Sequence, residues 1–262
     1  MTSHSTASAA DYARQSAVLT LAIFYPLSNA LPNILGFGRQ VGDQSAAGPD
    51  LLVPYELAFS IWGPIFLGTL VAAVIQALPS RRTMAIHRRT GWWWAAAMAL
   101  SCAWSIAESF SPLALRGWLT AFIFTPYVIA ICVAMRRFSL EARGHDLAER
   151  FCSAAIALYA GWTSLAVFIN WDRIVTEELG LLTPTANAVA LLAAAAGWIC
   201  WNLYKARGNA FYVFPAVWGL GLLAYDRLAT TDRSQVIASA AIIGIALILI
   251  AHVGARKQRR AN

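Results

Sequence analysis

Residues 57–79 read LAFSIWGPIFLGTLVAAVIQALP, twenty-three residues without one Asp, Glu, Lys or Arg. At ~1.5 Å per residue a helix of that length covers roughly 34 Å, enough to cross ~30 Å of hydrocarbon. The run lacks the polar–apolar alternation of a barrel strand, and an open sheet edge cannot sit in lipid. A membrane-spanning helix is the remaining reading.

Seven further runs of the same kind lie at about 16–36, 91–110, 113–135, 151–170, 185–203, 210–228 and 235–253. The composition agrees: 59% of the 262 residues are hydrophobic and 13% charged, against roughly a quarter charged in a soluble domain. The expected fold is all-α, a polytopic transmembrane bundle of about eight helices whose main partner is the lipid bilayer.

Assigning the loops alternately to two sides divides the 20 Lys and Arg residues unevenly. One side holds Arg14, Arg81, Arg82, Arg88, Arg89, Arg136, Arg137, Arg143, Arg150, Lys205, Arg207, Arg256, Lys257, Arg259 and Arg260, which is 15. The other holds Arg39, Arg116, Arg173, Arg227 and Arg233. Positive charge marks the cytoplasmic side, so both termini are expected there, in a bacterial inner membrane. One helix more or fewer would scramble the split. Topology therefore explains the net charge of +7, and no nucleic-acid partner is expected. The N-terminus lacks the early basic residues of a cleaved signal peptide, so helix one is expected to be retained.

Cys102, Cys132, Cys152 and Cys200 fall inside expected spans with no CxxC pair, and His4, His87, His145 and His252 show no ligand spacing. Neither a disulfide framework nor a metal site is expected. The longest connection, about Phe37 to Tyr55, contains Gly38, Gly42, Gly48, Pro49 and Pro54. It reads as a lid or as a plain connector. Pro26, Pro32, Pro64, Pro126 and Pro215 are expected inside helices, where each would free a carbonyl and bend its helix.

The 11 Trp residues are the most informative feature. Trp92, Trp93 and Trp94 follow Arg88 and Arg89 and read as an interfacial belt. Others fall within longer patterns. Helix two opens Ala58-Phe59-Ser60-Ile61-Trp62-Gly63-Pro64-Ile65-Phe66, and helix three ends Trp104-Ser105-Ile106-Ala107-Glu108-Ser109-Phe110. Arg116-Gly117-Trp118 opens helix four. Helix five carries Tyr159-Ala160-Gly161-Trp162 and closes Ala166-Val167-Phe168-Ile169-Asn170.

These patterns, in this order across about 16–171, resemble the tryptophan-rich sensory protein or translocator protein (TspO/MBR) family. Ser60 and Leu158 stand where that family has prolines, and helix five lacks the terminal sterol pattern, so sterol binding is not implied. Three helices beyond the five-helix core make this similar to a longer, eight-helix bacterial branch. On that resemblance the chain divides into a five-helix region, 1–175, and a three-helix extension with a basic tail, 176–262. The resemblance implies a bundle pocket, closed by the first loop, for a flat hydrophobic molecule such as a tetrapyrrole. Phe59, Trp62, Trp118, Trp162, Ala166 and Ile169 match the lining, and Trp104, Glu108, Tyr159 and Asn170 extend it. Physically, aromatic faces stack on planar ligands and offer indole N–H donors. A second reading is close helix packing at Gly63, Gly68 and Gly161, with the neighbouring Trp filling volume.

Glu56, Glu108, Arg116, Asp172, Arg173, Asp226 and Arg227 all fall at the ends of spans opposite the basic side, and Asn170 is expected to cap helix five. Such residues near lipid are expensive and tend to mark function. Arg116 or Arg173 could meet a ligand carboxylate. Asp172–Arg173 and Asp226–Arg227 also read as interfacial ion pairs with snorkelling side chains. Glu108 has no basic residue within four positions.

Three functions follow. One is a sensor or transporter of a tetrapyrrole-like hydrophobic molecule. Another is a membrane terpene or prenyl cyclase with Glu108 and Asp226 as acids and Trp104 and Trp162 stabilising a cation. The last is an assembly subunit of a larger complex. No phosphate-binding Gly loop, HExxH or Gly-x-Ser-x-Gly is present, so an ATP-driven pump or hydrolase is not indicated. Small residues from Ala193 to Gly197 would permit a homodimer.

Overall fold

The computed structural model describes residues 6–39, 51–141, 146–229 and 235–261. The middle of the first loop (Gly42, Gly48 and Pro49) and Arg143, His145 and Arg233 lie outside the described residues. Among the described residues there are eight α-helices: α1 Ala9–Leu35, α2 Trp62–Ala77, α3 Ala85–Phe110, α4 Leu113–Glu141, α5 Leu147–Arg173, α6 Pro184–Lys205, α7 Ala210–Ala229 and α8 Gln235–Ala261. Six are long and apolar enough to cross a membrane by length and composition; α3 and α7 are the other two.

Polar contacts show that these two traverse the bundle as well. At one end Arg88, near the start of α3, pairs with Asp11 of α1 at 2.7 Å. At the opposite end Arg39, just past α1, donates to the Glu108 carbonyl of α3 at 3.2 Å. For α7, Asn209 just before its start donates to Ser139 of α4, and Arg227 at its end reaches the Leu51 carbonyl. Consecutive helices therefore alternate in direction, and α1 begins and α8 finishes at the basic end.

The helices overrun the apolar runs at that basic end, because charged residues there find partners. Ser8 and Asp11 form a capping box that starts α1 ahead of its apolar stretch, and Asp146 caps α5. Gly36 ends α1 in the left-handed conformation (φ 69°). Arg14, only 1% exposed, pairs with Asp11, donates to Gln76 at 3.3 Å and donates to the Arg82 carbonyl at 2.6 Å. Gly91 makes room for it, since a Cβ there would sit 2.7 Å from Arg14 Cδ. The fully buried Glu149 places Oε1 3.1 Å from Arg81 and 2.9 Å from His87 Nε2. Arg81 also holds Asp146.

Helix α5 is the hub, packed on α2, α4, α6 and α7. Within its most apolar window 67% of residues are buried, against 22% for α8, whose Ile242, Ile243, Leu247 and Ile250 point outward. So much exposed apolar surface suits lipid, not water.

Several expectations are corrected. Pro64 lies in the first turn of α2, after a 3₁₀ segment Glu56–Ile61, so its missing N–H breaks no helical bond; Pro26, Pro32, Pro126 and Pro215 are inside helices. Trp94 is 1% exposed and belongs to the core, whereas Trp92 and Trp93 face outward. Gly63 meets nothing within 4 Å, so it serves no close approach. Gly161 does: a Cβ there would lie 2.3 Å from the Tyr212 carbonyl oxygen of α7. Gly197, Ala193 and Ala194 face outward.

Candidate functional site

At the end of the bundle opposite the basic cluster, α3, α4 and α5 line a cavity of about 150 Å³. Its walls follow helical spacing. Helix α5 contributes Trp162, Ala166, Ile169, Asn170 and Arg173, and α3 contributes Trp104 and Glu108. Helix α4 contributes Arg116, Gly117, Thr120 and Phe124. The fourth wall is the segment before α2, with Val53 and Phe59, together with Trp62 at the start of α2.

The inner part is aromatic. Phe59 and Trp62 each meet the Trp162 ring edge-on, with centroids 5.8 and 6.2 Å apart. Trp104 and Phe124 tilt against each other at 5.3 Å. Trp104 Nε1 donates to Asn170 Oδ1 at 2.9 Å, locking α3 to α5. Trp162 Nε1 is buried and has no hydrogen-bond partner among the described residues. The rim is charged. Glu108 and Arg116 face each other at 3.7 Å, and Arg173, which also lines the cavity, pairs with Glu177 at 3.0 Å.

Eight of the ten expected binding residues line this cavity: Phe59, Trp62, Trp104, Glu108, Trp162, Ala166, Ile169 and Asn170. Trp118 does not. It stacks on Phe122 at 5.8 Å and meets Trp171 edge-on, on another face of α4. Tyr159 lies one turn deeper on α5, fully buried against Tyr25, Tyr127 and Trp62. Asn170 is no cap: α5 runs on to Arg173, and its amide donates to the Ala166 carbonyl. Glu108 finds its cation eight positions away, across the turn between α3 and α4. Asp226 is not among the lining residues and pairs with Arg227 at 2.9 Å, so the two acids of the cyclase reading are not brought together.

Val53, Gly117, Thr120 and Phe124 were not anticipated. Thr120 and Phe124 had a signal, since with Arg116 they recur every four residues and so share a helix face, and Gly117 lies three positions before Thr120. Val53 had none, because its position depends on α7.

The sequence profile of the family described as TSPO-like protein matches residues 15–254. The chain belongs to this TSPO-like family. The match runs through all eight helices, so it includes the three C-terminal ones together with the five that carry the tryptophan patterns. No curated protein and no solved structure matches the chain. This TSPO-like chain is thus an integral membrane protein of multiple helical passes, with an aromatic cavity at one end.

Proposed function

We propose that the cavity binds a hydrophobic small molecule with an aromatic or otherwise planar body and an acidic group, of which a tetrapyrrole is the reference case, and that the chain senses or transports it. One observation carries the reading: tryptophan and phenylalanine rings line the interior while the rim holds two guanidinium groups, Arg116 and Arg173. Ring faces take up a planar apolar body. Guanidinium groups meet carboxylates with two parallel hydrogen bonds. The distribution of Lys and Arg favours both termini in the cytoplasm and the cavity on the outer side of a bacterial inner membrane.

Size adds a condition. At about 150 Å³ the cavity is smaller than the roughly 300–1,000 Å³ common for drug-sized ligands. A tetrapyrrole therefore requires one wall to move.

The test is titration of the detergent-purified protein with protoporphyrin IX and with its dimethyl ester, followed by tryptophan quenching. Saturable quenching that weakens in Trp162→Ala is expected. Arg116→Gln should weaken the diacid by about tenfold, the loss of one charge-assisted hydrogen bond, and leave the ester unchanged. Quenching that never saturates, or is indifferent to both substitutions, refutes the site.

A further inference from the structure

The cavity wall at 51–59 lies outside the α-helices, and its anchors lie on α7, outside the cavity. Residues 51–54 belong to no helix or strand. Arg227 donates from Nε to the Leu51 carbonyl at 3.0 Å and from Nη2 to the Val53 carbonyl at 2.9 Å. Its third nitrogen, Nη1, is held by Asp226 at 2.9 Å. The residue is 1% exposed, so it is not the snorkelling interfacial side chain that its position at a helix end suggested. A buried guanidinium needs its donors satisfied, and here two go to one short stretch of backbone. About two and a half turns earlier on the same helix, Trp218 Nε1 donates to the Ala58 carbonyl at 3.2 Å. Tyr225 meets Tyr55 edge-on at 5.7 Å.

We propose that α7 controls the cavity: Arg227 and Trp218 clamp the 51–59 wall, and release of that clamp admits a ligand too large for the cavity as it stands. Of the lining residues, Val53 carries one of the clamped carbonyls and Phe59 follows directly on another, that of Ala58. None of the three C-terminal helices contributes a lining residue, so α7 acts on the cavity through this backbone. Arg227 and Trp218 are positioning residues. The consequence for ligand binding rests on the cavity being a ligand site; the clamp does not.

Two measurements separate the two. The first uses no ligand: Val53→Cys is labelled with a water-soluble maleimide, corrected for the chain's own four cysteines, with and without Arg227→Gln. Arg227→Gln removes both charge-assisted hydrogen bonds to this backbone, so labelling is expected to speed up by at least about tenfold. Trp218→Phe removes a neutral donor only, so about two- to tenfold is expected, and it serves if Arg227→Gln does not fold. Unchanged labelling in a folded variant overturns the clamp. The second is stopped-flow quenching by protoporphyrin IX, where both association and dissociation should accelerate in the released variants. Rates that stay at the parent value while labelling rises overturn the control of binding. Absence of saturable porphyrin binding by the parent chain sinks the ligand reading instead, with the labelling result still deciding the clamp.

Discussion

Helix α5 and α7 touch at a point where nothing larger than glycine fits, and Gly161→Ala tests how much of the bundle depends on it. A Cβ at 161 would lie 2.3 Å from the Tyr212 carbonyl oxygen, 3.0 Å from its carbon and 3.1 Å from Pro215 Cγ. Two of these atoms are backbone and the third is a proline ring, so no side chain can swing away. Contacts below 3.0 Å essentially never occur, so the helices must part by at least 3.0 − 2.3 = 0.7 Å. Overpacking of this kind costs about 1–3 kcal/mol. The Tyr212 hydroxyl, which donates to Ser164 Oγ of α5 at 2.8 Å, is disturbed as well, at about 0.5–1.5 kcal/mol. Alanine's better helix propensity returns roughly 1 kcal/mol. The net expectation is a loss of about 1–3 kcal/mol, read as a lower midpoint of SDS unfolding in mixed micelles. Gly68→Ala, where the nearest atom is Ala155 Cβ at 3.4 Å, should be near neutral, and Gly63→Ala, with nothing within 4 Å, neutral or stabilising. A Gly161→Ala midpoint equal to or above that of the parent chain would refute the packing argument.

Two predictions concern the basic end. Glu149→Ala leaves Arg81 and the buried His87 without their shared carboxylate. A loss of about 3 kcal/mol is expected in the same assay, and an unchanged midpoint would mean that the cluster does not bind the helix starts together. Arg81 holds the Asp146 carboxyl below the usual carboxylate range. A group depressed in the folded state stabilises above its unfolded value, here 3.8, and that contribution is lost as pH falls through the lower folded value. Asp146→Asn should therefore differ from the parent chain at pH 7, and the gap should begin to close only as pH falls below about 3.8; a constant gap down to acid pH would remove the ion pair from the account.

Much of the fold was legible residue by residue. Each of the eight apolar runs became a helix, because lipid leaves the backbone no other way to satisfy itself. The helix ends shifted outward by about one to two turns where Asp11, Arg88, Glu149 and Asp146 found partners, and those partners lie 62 or more residues apart in several cases. Among the candidate site residues, those on α3 and α5 were readable from the motif resemblance, and 104 and 108, or 162, 166, 169 and 173, fall at helical spacing that keeps them on one face. Trp118 misled because a motif fixes sequence position but not the face a side chain presents. On α4, Trp118 turns toward Phe122 and Trp171.

The sequence by itself determined the solvent, the number of passes and which end of the bundle is basic, since hydrophobic length and charge placement act locally along the chain. Tertiary structure alone decided which residues share the cavity, that Glu108 faces Arg116, and that Gly161 rather than Gly63 is a point of close approach. It also decided that Arg227 buries its charge on the carbonyls of Leu51 and Val53, 176 and 174 residues away. The physical reason is the same throughout: a guanidinium near lipid must find acceptors, and only the packed helices determine which backbone comes within reach.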